Sequence, residues 1–257
     1  MSSIGQSRKI KVMKNLAAII LAAGKGTRMK SDLPKVFHEI LGEPMLSYVI
    51  RAVQKLNPQK ILIVVGHQRE LIMDYYKAWP VEFVVQAEQL GTGHAVQQAE
   101  AALSGFTGDV LVLAGDVPLL KPATLKALVA FHDQHHAAAT DLTAELPDAG
   151  NYGRIVRGPD GSLLKIVEKK DASPAELKIG EFNTGTFCFE AKALFAALKE
   201  VRAENSQKEF YLTDTIEILR RQGLPVLAYK TADAGETLGI NTKDELVEIE
   251  KILLSAT

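Results

Sequence analysis

The sequence predicts an α/β fold: a mostly parallel mixed sheet flanked by helices, with a smaller lobe of mixed strands. Three observations predict it. Short runs such as Ala17–Ala22, Lys60–Val65 and Asp109–Ala114 are almost unbroken Val, Ile, Leu and Ala, the composition of parallel strands buried on both faces. Longer stretches with apolar residues at helical spacing separate them, which implies right-handed crossovers and helices on both sides of the sheet. After Thr140 the runs crowd together and turn signals multiply, which marks a partly antiparallel arrangement.

In chain order, the opening MSSIGQSRKIKVMKN is polar and basic. It has no apolar core, so it is not a secretory signal; residues 1–15 read as a disordered tail, and Met13 offers an alternative start. The first strand is expected over Ala17–Ala22. Next come a helix over Met45–Leu56, a strand over Lys60–Val65, a helix over Arg69–Lys77, a strand over Glu82–Gln86 and a helix over Thr92–Leu103. A strand over Asp109–Ala114 follows. The helix expected over Pro122–Gln134 opens on a proline, which suits a first helical turn. Strands are then expected over Arg154–Arg157 and Leu163–Glu168, with Pro159-Asp-Gly turning between them, and over Phe182–Glu190. Two helices (Leu194–Val201, Leu212–Gln222), a strand around Pro225–Tyr229 and an amphipathic helix over Thr242–Leu254 complete the chain. No repeat, low-complexity tract or linker interrupts it. Residues 16–257 therefore read as one domain with two lobes, the second supplying the far wall of a cleft.

Composition narrows the function classes. Of 257 residues 47% are apolar, enough for a sizeable core. The formal net charge is −1, so no global field points to nucleic acid or to a membrane surface. No apolar run reaches the roughly 20 residues that span a bilayer. The single cysteine, Cys188, cannot form an intramolecular disulfide. It reads as a small core hydrophobe in a reducing, cytoplasmic compartment.

The stretch "LAAGKGTRMKSDLPK", Leu21 to Lys35, leaves the first strand and at once presents Gly24, Gly26, Arg28 and Lys35. Exposed N–H groups of a glycine turn bind anionic oxygens. Arg adds a fixed fork for phosphate oxygens and Lys a movable point charge. Spacing alone leaves two readings open, a phosphate cradle and a solvated loop; Lys25 and Lys30 read as facing water. The third glycine of a dinucleotide fingerprint and the G-K-[ST] of a Walker loop are both missing, which disfavours a dehydrogenase. Asp116 ends a buried strand, where ligands of such sheets bind. It suits Mg²⁺, which takes one or two carboxylates plus substrate phosphates, or else a turn. Gln86 also ends a strand; its amide offers a donor and an acceptor to a base edge, or is simply a polar strand end. Gly91 and Gly93 read as letting the backbone approach a ligand. Glu168 and Asn183 read on their own as a strand-end charge and a turn. His132, His135 and His136 lack any Cys or carboxylate pattern and read as a solvated helix end.

The Leu21–Lys35 loop resembles the signature of sugar-phosphate nucleotidyltransferases. The chain is most similar to the uridyltransferase domain of the bacterial bifunctional N-acetylglucosamine-1-phosphate uridyltransferases. The likeness continues through "VVQAEQLGTGHAV", "LAGDVPLL", "NYGRIV", "IVEKKDAS", "FNTGTFCF", "EFYLTD" and "LGINTKDEL", in order, from about Leu16 to Glu250. It implies a Rossmann-like sheet, a sugar-binding second lobe and a role in nucleotide-sugar supply for the peptidoglycan cell wall. It implies that UTP and a sugar 1-phosphate, N-acetylglucosamine 1-phosphate, are joined with release of pyrophosphate, with Mg²⁺ as cofactor. Asp116 and Asn241 are then the metal ligands; Asn241 by itself would read as a helix cap. Arg28 and Lys35 are the catalytic cations, Lys35 also touching substrate. Leu21, Ala22, Ala23, Gly24, Gln86, Gly91 and Thr92 hold the nucleotide. Gly153, Glu168 and Asn183 surround the sugar. Two departures stand out: Lys169 follows Glu168 where the family often has His, and Ala114 is Tyr in some relatives. The hexapeptide repeats of the relatives' left-handed β-helix do not occur in the sequence, so the acetyltransferase domain is not expected. Oligomeric state is left open. Two other readings stay: a related transferase for another sugar or base, and a non-catalytic regulatory subunit on the same fold.

Overall fold

Every residue of the first strand, β1 (Leu16–Ala22), is buried except the half-buried Leu21. Its side chains alternate between two cores: Ala18, Ile20 and Ala22 enter one, Ala17 and Ile19 the other. A strand covered on both faces has no polar side to expose, hence its unbroken apolar sequence. The computed structural model describes residues 15–24 and 26–255, apart from the side chains of Thr27 and Ser255. The expectation for the tail falls, except at Asn15, outside the described residues, as does that for Lys25.

After β1 come single 3₁₀ turns at Thr27–Met29 and Lys35–Phe37. A two-residue antiparallel pair follows, β2 (Glu39–Ile40) with β3 (Glu43–Pro44). Then come α1 (Met45–Gln54), β4 (Lys60–Val65), α2 (Arg69–Tyr76), β5 (Glu82–Val85) and α3 (Thr92–Gln97). The helix expected over Thr92–Leu103 is thus shorter; a separate 3₁₀ turn covers Ala101–Leu103. β6 (Asp109–Ala114) and α4 (Pro122–Gln134) agree with expectation. The second half contains β7 (Ala139–Glu145), β8 (Arg154–Arg157), β9 (Leu163–Val167), β10 (Glu181–Glu190), α5 (Ala191–Leu198), α6 (Asp214–Arg221), β11 (Val226–Lys230) and α7 (Lys243–Ser255).

The larger sheet has the order β11-β7-β10-β6-β1-β4-β5, with β8 and β9 branching from β10. β1, β4, β5 and β6 run parallel; β10 runs antiparallel between β6 and β7. The second lobe therefore grows out of β10, whose end passes from the central sheet to β8. A register shift between Asn183 and Thr186, with Gly185 at φ +76°, bends it there, as a bulge does. Cys188 is buried in β10, as expected. No helix among the described residues is long and apolar enough to cross a membrane.

One reading is corrected. His132 is not at a solvated helix end but wholly buried. It falls in step with Leu125, Leu128 and Val129 on the inner face of α4. Its Nδ1 lies 2.9 Å from Thr140 Oγ1 on β7, and its Nε2 lies 3.6 Å from Asp109 on β6. His135 and His136 are exposed.

Candidate active site

The parallel strands β1 and β6 end side by side. Gly115 N–H donates to Leu21 O at 2.9 Å, so the loop after β1 and the carboxylate after β6 open into one space. That space is a cleft of ≈ 520 Å³. It gathers Leu21, Ala22, Ala23, Gly24, Arg28, Lys35, Gln86, Gly91, Thr92, Asp116 and Asn241. Gly24 is exposed, and a Cβ built on it meets nothing within 4 Å. Its backbone is not left-handed either, so no packing among the described residues demands glycine there. The space beside it is room for a ligand.

The polar centre joins distant segments. Lys35 Nζ donates to the carboxylate of Asp116 and, at 2.6 Å, to Asn241 Oδ1, 206 positions away. Arg28 donates to the same Asn241 oxygen at 2.7 Å. Two oxygen donors, from β6 and from the arm before α7, thus converge on one cation. That donor set also fits Mg²⁺, a hard ion that prefers oxygen.

Asn241 is not the helix cap its sequence suggests. Thr242 Oγ1 accepts from Glu245 N–H at 3.2 Å, while the Glu245 carboxylate accepts from Thr242 N–H at 3.1 Å. This is a reciprocal capping box. It frees the Asn241 side chain, whose Nδ2 donates to Gly239 O at 3.1 Å and whose oxygen faces the cations.

Gln86 is buried. Its Nε2 lies 3.1 Å from Gly91 O and 3.0 Å from His94 Nδ1. The amide nitrogen is therefore turned to the protein, donating to Gly91 O. A Cβ on Gly91 would lie 2.6 Å from Phe210 O, and one on Gly93 3.0 Å from the same oxygen. Those glycines admit the chain's own Phe210 segment, and Gly91 also lines the cleft. The Thr92 hydroxyl accepts from Leu212 N–H at 3.0 Å, so it also pins that segment.

The predicted second-lobe residues lie together but outside the lining of this cleft. Asn183 N–H donates to Gly153 O at 2.9 Å. A Cβ on Gly153 would lie 3.5 Å from both Glu168 oxygens. Burial pushes the Glu168 carboxyl above its ordinary range, and nearby Asp171 and Glu209 add to this, against a hydrogen bond from Thr213. Glu209 also lines the cleft that holds Arg28 and Lys35. Residues missed in the sequence include Tyr152, whose hydroxyl accepts from Gly239 N–H at 2.9 Å, and His94. Aromatic and histidine positions inside short motifs carried no spacing signal of their own.

Asp214, at the start of α6, is pushed up to about 6 by burial first, then by Glu168, Glu217 and Asp171. A raised acid binds more protons folded than unfolded, so its contribution to stability falls as pH rises from its ordinary value to about 6, then stays constant. Asp214→Asn is therefore expected to raise the thermal midpoint at pH 8 and to leave it near the parent's at pH 4. Equal shifts at both pH values would reject this.

Comparison with known proteins agrees with the geometry. The model of the MobA-like NTP transferase domain matches residues 18–217. The bifunctional protein GlmU of Pelotomaculum thermopropionicum is 52% identical over 239 residues, covering 93% of this chain and 52% of that protein. GlmU of Streptococcus mutans is 51% identical over 236 residues, covering 92% and 51%. The chain spans about half the length of the curated relatives it matches. A structure of UDP-glucose pyrophosphorylase complexed with UDP-glucose superposes with a TM-score of 0.74 at 18% identity, covering 95% of this chain and all of that one; it shares the fold. Gly24, Arg28, Lys35, Gln86, Asp116 and the second-lobe residues all fall within the matched segment, and only Asn241 lies past it: the chain belongs to the MobA-like NTP transferase domain family.

Proposed function

We propose that this chain is a uridylyltransferase that joins UTP to N-acetylglucosamine 1-phosphate, forming UDP-N-acetylglucosamine and pyrophosphate. The observation that carries the reading is the convergence of Arg28, Lys35, Asp116 and Asn241 beside the open turn at Gly24. A triphosphate needs cations and a close backbone at one place, and this is where they meet. A catalytically silent subunit would have no need to hold these four groups together.

A phosphate oxygen of the sugar attacks the α-phosphorus of UTP in line; the P–O bond to pyrophosphate breaks and its electron pair leaves with pyrophosphate. No covalent nucleophile is needed, so positioning and charge neutralisation carry the rate. Arg28 binds the triphosphate and the departing pyrophosphate. Lys35 meets charge on the reacting phosphates after exchanging Asp116 and Asn241 for them. Those two residues would hold Mg²⁺, which supplies charge neutralisation and alignment of both reactants. The Gln86 oxygen receives a base N–H, its amide nitrogen being turned to Gly91 O and His94. Gly153, Glu168 and Asn183 orient the sugar. Residues 16–257 act in this reading as one nucleotidyltransferase domain in the cytoplasm.

Purified protein with UTP, N-acetylglucosamine 1-phosphate and Mg²⁺ is expected to release pyrophosphate, and EDTA to stop it. Across a panel of nucleoside triphosphates and sugar 1-phosphates, UTP and the N-acetylated sugar should be preferred. Full activity after complete chelation would sink the metal assignment, and equal use of CTP the base assignment.

A further inference from the structure

A side chain of the second lobe reaches the arm that carries Asn241. Tyr152 lies in the loop just before Gly153, the candidate sugar contact. Its hydroxyl accepts the Gly239 N–H at 2.9 Å, and Gly239 O in turn accepts the Asn241 amide at 3.1 Å. Next along the arm, Ile240 N–H donates to Asp116 O at 3.0 Å. Gly239 itself sits against Asp116: a Cβ there would lie 3.5 Å from Asp116 Oδ1. One phenol thus reaches the backbone that orients both candidate metal ligands.

The phenol is itself fixed. Its ring packs on Phe182 of β10 with centroids 4.6 Å apart. A small core of Ala144, Ala149 and Phe182 packs against Tyr152 and against Ala234 and Leu238 of the arm. The loop below is clamped by Arg154, which is 2% exposed. Its guanidinium donates to the carbonyls of Tyr152 and, at 3.1 Å, Gly150. Spending a buried guanidinium on backbone carbonyls makes sense where a loop must hold one shape.

We propose that Tyr152 is a positioning residue that locks the sugar-side loop to the Gly239–Asn241 arm, so that the ligand set for the metal is completed from the second lobe. The inference rests on the metal reading above. Tyr152 does not touch the metal; it acts through Gly239. Loss of a group that orients a metal ligand weakens metal binding about 10-fold or more. Because the same loop carries Gly153, loading the sugar site and ordering the metal arm become linked steps.

The test reads metal binding without turnover. Mn²⁺ is titrated into protein and UTP, with no sugar acceptor, and followed by electron paramagnetic resonance against UTP alone. Tyr152→Phe keeps the ring and removes the hydroxyl. It is expected to raise the half-saturating Mn²⁺ concentration about 10-fold, with a thermal midpoint within about 4 °C of the parent, the scale of one lost hydrogen bond. Phe182→Leu keeps the hydroxyl but loosens the ring that carries it; it is expected to lower the thermal midpoint and to raise the half-saturating Mn²⁺ concentration less than Tyr152→Phe does. Asp116→Asn is expected to abolish protein-dependent Mn²⁺ binding. If Asp116→Asn loses the ion while Tyr152→Phe binds it like the parent, the positioning role is overturned and the metal reading stands. An equal loss of Mn²⁺ affinity in Phe182→Leu and Tyr152→Phe would assign the effect to packing and overturn it too. Retention of Mn²⁺ by Asp116→Asn would overturn both readings.

Discussion

Arg28→Ala is expected to lower kcat by about 10²-fold or more, the cost of losing one preorganised charge-stabilising donor. Arg28 is exposed, and its one hydrogen bond among the described residues is to the Asn241 oxygen. It is therefore not a structural residue; in the proposed reaction its fork meets the leaving pyrophosphate, where charge gathers in the transition state. KM for UTP should rise less than kcat falls. Arg28→Lys should recover only part of the loss, since a point charge does not reproduce two parallel donors. Lys30 supplies the internal control. It lies in the same loop, exposed, with no hydrogen bond among those described. Lys30→Ala should stay within about twofold, as surface substitutions do. A harmless Arg28→Ala, or an equal loss in Lys30→Ala, would displace the triphosphate from this loop.

The same loop shows what can be read from sequence. Strands such as β1, β4 and β6 announce themselves because burial on both faces leaves no polar residue to blur the run. β7 is equally buried from Ala139 to Ala144, yet it went unread. It carries Thr140, Asp141 and Thr143, and the signal of a buried strand is apolarity. Asp141 is wholly buried, and burial pushes its carboxyl well above the ordinary range. A strand that hides a carboxyl looks like a loop. His132 misled in the same way: as a histidine near two others it suggested a wet helix end, although its place one heptad after Leu125 put it on the inner face.

Site residues divide along another line. Arg28, Lys35 and Asp116 had a chemical signal, because cations after glycines and a carboxylate at a strand end are unusual in themselves. Asn241 had none; only resemblance pointed to it, and its local sequence argued for a cap that Thr242 in fact provides. The glycines of "GTG" read toward a ligand, but a sequence cannot show that the Phe210 segment also packs against them. What spacing misses, in both cases, is the partner that arrives from far along the chain.

That distant partnership underlies the largest expected effect. Asp116→Asn should reduce kcat by about 10³-fold, since metal assistance supplies several kcal/mol of transition-state stabilisation. The substitution keeps shape and removes charge. An amide oxygen is a poorer ligand for a hard dication than a carboxylate, and Lys35 loses its anionic partner at the same time. The two consequences separate by experiment. If Asp116 acts through the metal, raising Mg²⁺ well above the parent's requirement should recover part of the rate, because weak binding is overcome by mass action. If Asp116 acts only by holding Lys35, added Mg²⁺ should do nothing, and Lys35→Met should lose as much as Asp116→Asn, with the double variant no worse than either. The first pattern is expected, because Asn241 also accepts from Lys35 at 2.6 Å and keeps that ammonium in the cleft when the carboxylate is gone. A variant that is fully active at ordinary Mg²⁺ would remove Asp116 from the reaction and with it the reason for the cations to gather there.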